Sequence, residues 1–175
     1  ELTSKWYPTR NLLKNCKNLL AISSTGAGYD FIDVEACTDA GILVVNNSGA
    51  NAVSVSQHVL GMILALSRNI IQLDRLCRKE KKIDRMQYVG RELTGKTIGI
   101  MGLGNVGSEI AQLAHQGFGM KVIAYDPYIQ ESHFNKNNAV SVEFDTLFSQ
   151  ADYVSINCPL TSETRGMIDE RVFRL

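Results

Sequence analysis

Three glycines and one aspartate carry the most legible chemistry in this 175-residue sequence. Gly102, Gly104 and Gly107 stand in a Gly-x-Gly-x-x-Gly spacing, and Asp126 follows 19 residues beyond the last of them. That separation is close to the roughly 20 residues found in a dinucleotide-binding fingerprint. In such a turn Gly102 permits the tight bend and Gly104 removes a side chain that would keep the backbone away from a pyrophosphate. Gly107 lets the following helix pack closely on the strand. The N–H groups near Asn105 and Val106, with the helix dipole behind them, then face the phosphates. Asp126 is placed to accept both ribose hydroxyl protons of an adenosine. The same carboxylate predicts NAD rather than NADP, because a 2′-phosphate about 4 Å away would meet repulsion of roughly 1–4 kcal/mol. Pro127 and Tyr128 follow Asp126 where an arginine would favour the phosphorylated cofactor, and they could pack on the adenine.

Glycine spacing alone is a weak signal, so the surrounding elements decide its meaning. Lys96–Met101 reads as a strand before the turn and Ser108–His115 as the start of a helix after it. Lys121–Tyr125 reads as the next strand, Val142–Gln150 as a short helix, and Asp152–Ile156 as a third strand running into Asn157, Cys158 and Pro159. Earlier in the chain, Leu19–Ser23 predicts a buried strand and Thr25–Gly28 a tight loop. Asp33 caps a helix through Ala40 that Gly41 terminates, and Gly41–Val45 predicts a second buried strand. Strand–helix–strand order on both sides predicts an α/β fold with a parallel sheet. Between them Val55, Val59, Met62, Ile63, Leu66, Ile70, Leu73 and Leu76 recur at helical spacing and predict one long helix. Its rear end, Arg75 to Arg85, is basic and polar, and Tyr88–Leu93 reads as a connector.

Several blocks in fixed order make the sequence similar to the D-isomer-specific 2-hydroxyacid dehydrogenases. They are Gly26-Ala-Gly-Tyr-Asp30 with Ile32-Asp33, Gly41–Asn46, Asn51–His58, Leu93–Gly104, Gly119–Pro127 and Cys158–Thr164. The resemblance covers nearly all of Leu19–Leu175. It implies a Rossmann-type doubly wound parallel sheet, present in part, together with part of a flavodoxin-like substrate domain. Residues 1–50 would then be the last part of the N-terminal substrate-domain segment, 51–95 an interdomain helix and connector, and 96–175 the first half of the NAD-binding domain. It also implies that backbone N–H groups at Ala27 and Gly28 hold a substrate carboxylate, with Asn51 nearby. Cys158, Pro159 and Thr164 would edge the adenosine pocket.

The implied activity is NAD-dependent oxidation of a D-2-hydroxy acid or reduction of a 2-keto acid by a homodimer. An NAD-binding corepressor-like protein of the same fold is the alternative. Ser56-Gln57 and Cys158 depart from the commonest residues of the family, at positions that bear on subgroup rather than hydride chemistry. The family's catalytic Arg, Glu and His correspond to positions beyond Leu175, so no catalytic residue is expected within the chain, which would be inactive alone. Both ends read as cut from a longer polypeptide, and the isolated 175 residues are not expected to fold stably.

The remaining candidates point elsewhere only weakly. His58, His115 and His133 lack a carboxylate at a spacing that would make an activated pair, and His133 reads as part of a polar loop. The four cysteines are scattered, with no metal-ligand spacing, and predict reduced, mostly buried thiols of a cytoplasmic protein and no metal site. Equal counts of 18 basic and 18 acidic residues argue against nucleic acid or anionic membrane as partners. Glu80 and Asp84 interrupt the basic stretch near Arg75–Lys82, which reads as a solvated helix end. The opening Glu-Leu-Thr-Ser-Lys-Trp has no apolar segment of a signal peptide.

Overall fold

Parallel strands are joined by crossovers rather than hairpins, and both parts of this chain use them. The computed structural model describes residues 7–79 and 82–175. It divides into two compact units, Glu1–Asn51 and Ala52–Leu175.

In the first unit, helix α1 (Arg10–Leu13) precedes β1 (Ala21–Ser23), α2 (Val34–Asp39) and β2 (Leu43–Val45). β1 and β2 are parallel, with Ala21 opposite Leu43 and Ser23 opposite Val45. Asp33 caps α2 as its sequence predicts: its carboxylate accepts the Ala36 N–H at 2.9 Å. Gly41 leaves the helix at φ +68°, a conformation costly to other residues. Leu13, Ile32, Ala36, Cys37 and Ile42 form the core, with Ile22 and Val44 against it. Cys37 alone of the four cysteines is buried, Cys77 being exposed and Cys16 and Cys158 half-buried, so the thiols are not mostly buried as expected. The expectation that both strands are buried needs correction, since Leu43 is 63% and Val45 42% exposed. Successive strand residues face opposite ways, and within this unit only one face of the pair is covered.

The second unit runs α3 (Ala52–Ser67), α4 (Ile70–Lys79), a 3-10 turn at Arg85–Tyr88, β3 (Thr97–Met101), α5 (Asn105–Phe118) and β4 (Lys121–Tyr125). It continues through α6 (Glu131–Lys136), β5 (Ala139–Ser141), α7 (Phe144–Gln150) and β6 (Tyr153–Ile156) to a 3-10 turn at Val172–Arg174. The strands lie in the order β5-β4-β3-β6, all parallel. Numbered within the unit this is 3-2-1-4, the first half of a doubly wound sheet. Ile98 and Ile100 of central β3 are wholly buried in one cluster with Leu60 and Ile63 of α3 and Ile110, Ala111 and Ala114 of α5. Gly99 faces the other way, where a Cβ would come within 3.0 Å of Leu147 on α7. The sheet is therefore covered on both faces, as its apolar strands require.

Three expectations change here. The single long helix is two, because Asn69 adopts a left-handed φ of +56° between α3 and α4. The buried stripe of α3 is Ala52, Ser56, Leu60, Ile63 and Ser67, whereas Met62, Leu66 and Ile70 are about half exposed or more. Counting large apolar residues misses that stripe, because three of its members, Ala52, Ser56 and Ser67, are small. Finally, α6 and β5 occupy a stretch read as polar loop, so the sheet has four strands in this chain rather than three. β5 is three residues long and lies at the edge with Val140 62% exposed, which leaves no alternation to read. No residue of α4 is buried, so its basic end is solvated as expected; Glu80 and Lys81 lie outside the described residues. No described helix is long and apolar enough to cross a membrane.

Candidate functional site

The glycine turn follows directly from β3. Gly102 has φ +88°, and a Cβ there would lie 2.8 Å from the Cys158 nitrogen and 3.0 Å from the Asn157 carbonyl carbon. At Gly107 a Cβ would overlap the Gly102 carbonyl oxygen. Packing of α5 and of the β6 exit on the turn thus demands both glycines. Gly104 differs: a Cβ there would meet nothing within 4 Å. It stands at the N-cap of α5, a 14-residue helix whose N-terminus carries partial positive charge. The space a side chain would take is left open at the place where a ligand's phosphates could approach the helix.

A cleft of about 510 Å³ opens at the carboxyl ends of β3, β4 and β6. Ligands of doubly wound sheets bind at such ends, where the strand order reverses. Of the residues expected at a cofactor, Gly102, Gly104, Asp126, Pro127, Cys158, Pro159 and Thr164 line it. Asn105, Val106 and Gly107 form the first turn of α5 and do not line it. Asn157, Thr161, Glu163 and Met167 also line the cleft and were not anticipated. The Thr161-x-x-Thr164 spacing was the available signal: Thr164 Oγ1 accepts the Thr161 N–H at 2.8 Å and donates to the Pro159 carbonyl at 2.6 Å. These bonds shape the loop that forms the cleft's second wall.

Asp126 ties the two walls of the turn together. Its Oδ2 accepts the Leu103 N–H at 2.9 Å and its Oδ1 the Tyr128 N–H at 3.1 Å. Each carboxylate oxygen retains a further acceptor direction, which suits a pair of vicinal hydroxyls. The Tyr128 hydroxyl donates to the Glu163 carboxylate, joining the β4 and β6 exits, and that bond raises the tyrosine's pKa. Burial pushes the Cys158 thiol up, which disfavours the reactive thiolate. An open backbone at a helix N-terminus, with a carboxylate ending the next strand, fits a dinucleotide's diphosphate and ribose.

In the first unit the Thr25–Gly28 loop is held by its carbonyls. Gly26 O accepts from the Asn47 N–H at 3.0 Å, Ala27 O from Asn46 Nδ2 at 2.9 Å, and Gly28 O from Ser24 Oγ at 2.7 Å. No hydrogen bond among the described residues uses the N–H of Ala27 or Gly28. Asn51 Nδ2 lies 4.0 Å from the position a Gly26 Cβ would take, so it borders the same loop.

The histidines divide. His58 is exposed on α3. His115, near the end of α5, has Nδ1 3.4 Å from the Met120 carbonyl. His133 is not in a loop: it sits on α6 with Nε2 2.9 Å from the Leu103 carbonyl oxygen.

Comparison with known proteins agrees with this geometry. Residues 60–175 match the family described as D-isomer specific 2-hydroxyacid dehydrogenase, NAD binding domain. D-3-phosphoglycerate dehydrogenase of Archaeoglobus fulgidus is 40% identical over 162 residues, covering 93% of this chain and 30% of that protein. Hydroxypyruvate reductase of Thermotoga maritima is 40% identical over 161 residues, 92% of this chain and 51% of that protein. Among solved structures, D-lactate dehydrogenase of Aquifex aeolicus, complexed with NAD and lactic acid, superposes with a TM-score of 0.83 at 31% identity. That match covers 95% of this chain and 49% of the other. The chain thus spans about a third to a half of the length of these relatives. With a doubly wound sheet, its glycine turn and more than half its residues matching, the chain belongs to the D-isomer specific 2-hydroxyacid dehydrogenases and carries the NAD-binding domain of that family over residues 60–175.

Proposed function

We propose that the full-length protein is an NAD-dependent dehydrogenase that interconverts a D-2-hydroxy acid and the matching 2-keto acid. The observation that carries this reading is the joining of Asp126 to the glycine turn through Leu103, in a cleft at the ends of β3, β4 and β6. NAD, when bound, supplies the hydride acceptor, and NADH the donor, for C2 of the acid. The α5 N-terminus and the open backbone at Gly104 would hold the pyrophosphate, and Asp126 the adenosine ribose. Pro127, Cys158, Pro159 and Thr164 would border the adenosine, while Gly107 acts by letting α5 approach β3.

The substrate carboxylate is assigned to the N–H groups of Ala27 and Gly28, two adjacent donors whose carbonyls are already engaged. Such a pair makes an anion-binding nest. Asn51 borders it. Residues 51–95 would link the substrate and dinucleotide segments. No catalytic residue is assigned within 1–175; hydride transfer would need an arginine and a carboxylate-paired histidine elsewhere in the full-length protein. The partner molecule is a small 2-keto or 2-hydroxy acid, with neither nucleic acid nor membrane involved. Four free cysteines fit a reducing, cytoplasmic setting, and the family resemblance favours a homodimer. The corepressor-like alternative gains nothing from the relatives above, which are dehydrogenases and a reductase.

The direct test is NADH oxidation by the full-length protein with glyoxylate, hydroxypyruvate and related 2-keto acids. Turnover with at least one is expected, and none with any would overturn the assignment.

A further inference from the structure

Glycine turns are the least constrained backbone in a protein, so what fixes this one matters to the ligand it faces. Both backbone polar groups of Leu103, between Gly102 and Gly104, are held. Its N–H goes to Asp126 Oδ2 at 2.9 Å. Its carbonyl oxygen lies 2.9 Å from His133 Nε2 and 3.1 Å from Ser108 Oγ. A carbonyl can only accept, so Nε2 carries the proton in this contact. His133 Nε2 is also 3.2 Å from Ser108 Oγ, which closes a three-membered polar cluster over the turn.

The histidine is itself anchored. One helical turn further on, Asn137 Nδ2 donates to the His133 carbonyl at 2.9 Å. Asn137 Oδ1 accepts from Gln112 Nε2 at 3.0 Å, and Asn137 is 99% buried as its 1% exposure shows. Ser108 and Gln112 on α5 thus meet His133 and Asn137 on the α6 side, each pair four residues apart, which places both members on one helix face. Phe134, 2% exposed, fixes α6 in the core.

The Leu103–Gly104 peptide is trans, so its carbonyl and the Gly104 N–H point in opposite directions. Holding the carbonyl against α6 and α5 therefore sets the direction of the Gly104 N–H. The geometry points to His133 as a positioning residue for the dinucleotide, acting through the Leu103–Gly104 peptide rather than by touching the ligand. This rests on the dinucleotide reading of the cleft. A turn fixed before binding spares the ligand the cost of ordering it.

The test uses the full-length protein, with NADH affinity followed by fluorescence, thermal melting, and kcat and KM measured separately. His133→Leu removes the donor. His133→Asn puts an amide one bond short of the carbonyl. His133→Gln places an N–H the same number of bonds from the backbone as Nε2. Loss of one such hydrogen bond predicts an NADH Kd about tenfold higher in H133L and H133N, and within about threefold of wild type in H133Q. The KM for NADH should follow, with kcat at saturating NADH within about twofold in all three. Kd within twofold of wild type in H133L and H133N overturns the inference alone. Equal weakening by Leu, Asn and Gln, tracking melting temperature, overturns it in favour of a purely structural histidine. A wild-type protein that binds no NADH removes the dinucleotide reading and this inference together.

Discussion

Asp126 and Leu103 are 23 residues apart in sequence and joined by one hydrogen bond, from the Leu103 N–H to Asp126 Oδ2 at 2.9 Å. A carboxylate expected to serve the ligand therefore also holds the turn that receives it. Replacing Asp126 acts on both. In the full-length protein Asp126→Ala should weaken NADH binding by roughly 10- to 100-fold, the range for lost hydrogen bonds to a charged group. NADPH, relieved of the charge repulsion, should bind as well as NADH or better. Titration of the variant with each cofactor checks this, and a retained preference for NADH would contradict it.

The three glycines should separate by substitution with alanine. Gly102→Ala must be accommodated at φ +88° against the Cys158 backbone, and Gly107→Ala against the Gly102 carbonyl. Each should cost about 2–4 kcal/mol of stability or prevent folding. Gly104→Ala meets no atom within 4 Å and keeps an allowed φ of −75°. Its stability should change by less than about 1 kcal/mol while NADH affinity falls. Denaturation curves beside NADH titrations separate the two kinds of effect.

Asp152 predicts a pH signature at the base of β3. It accepts the Thr97 N–H at 2.9 Å and pairs with Lys96 Nζ at 2.9 Å. The Thr97 bond first, and Lys96 second, hold its carboxyl below the usual range. A depressed pKa in the folded state adds stability that is complete above the ordinary carboxylate pKa near 3.8 and is lost as pH falls through the folded value. The pair is more than a third exposed, so screening limits it to about 1 kcal/mol or less. Asp152→Asn should destabilise the protein at pH 7, by a difference from wild type that shrinks progressively as pH falls below about 3.8, measured as denaturation midpoints. A difference that stays constant as pH falls below that value would contradict this assignment.

How far the sequence could be read is clearest around the turn. Gly102, Gly104, Gly107 and Asp126 were legible because each answers to local geometry within one strand–turn–helix–strand unit. The Asp33 cap and the Gly41 terminator were legible for the same reason. His133 was not, since its role depends on a contact 30 residues away that only the docking of α6 creates. The buried stripe of α3 escaped because Ala52, Ser56 and Ser67 are chosen for size, which an apolar count ignores. β5 escaped because an edge strand of three residues carries no periodicity.

Cys158 offers a chemical reporter of the cleft. Its thiol is pushed up by burial, so alkylation at pH 7 should be slower than at the exposed Cys77. Saturating NADH should slow it by a further several-fold, as read by peptide mass spectrometry of the full-length protein. Modification of Cys158 at an unchanged rate would place the ligand elsewhere.

Every role assigned to Gly104, Asp126 and His133 depends on where the dinucleotide lies. A crystal structure of the full-length protein with NADH tests that directly. It should place the pyrophosphate against Gly104 and the α5 N-terminus, with the adenosine ribose hydroxyls within hydrogen-bond distance of Asp126. NADH bound away from this cleft, or with its ribose turned from Asp126, would contradict the account.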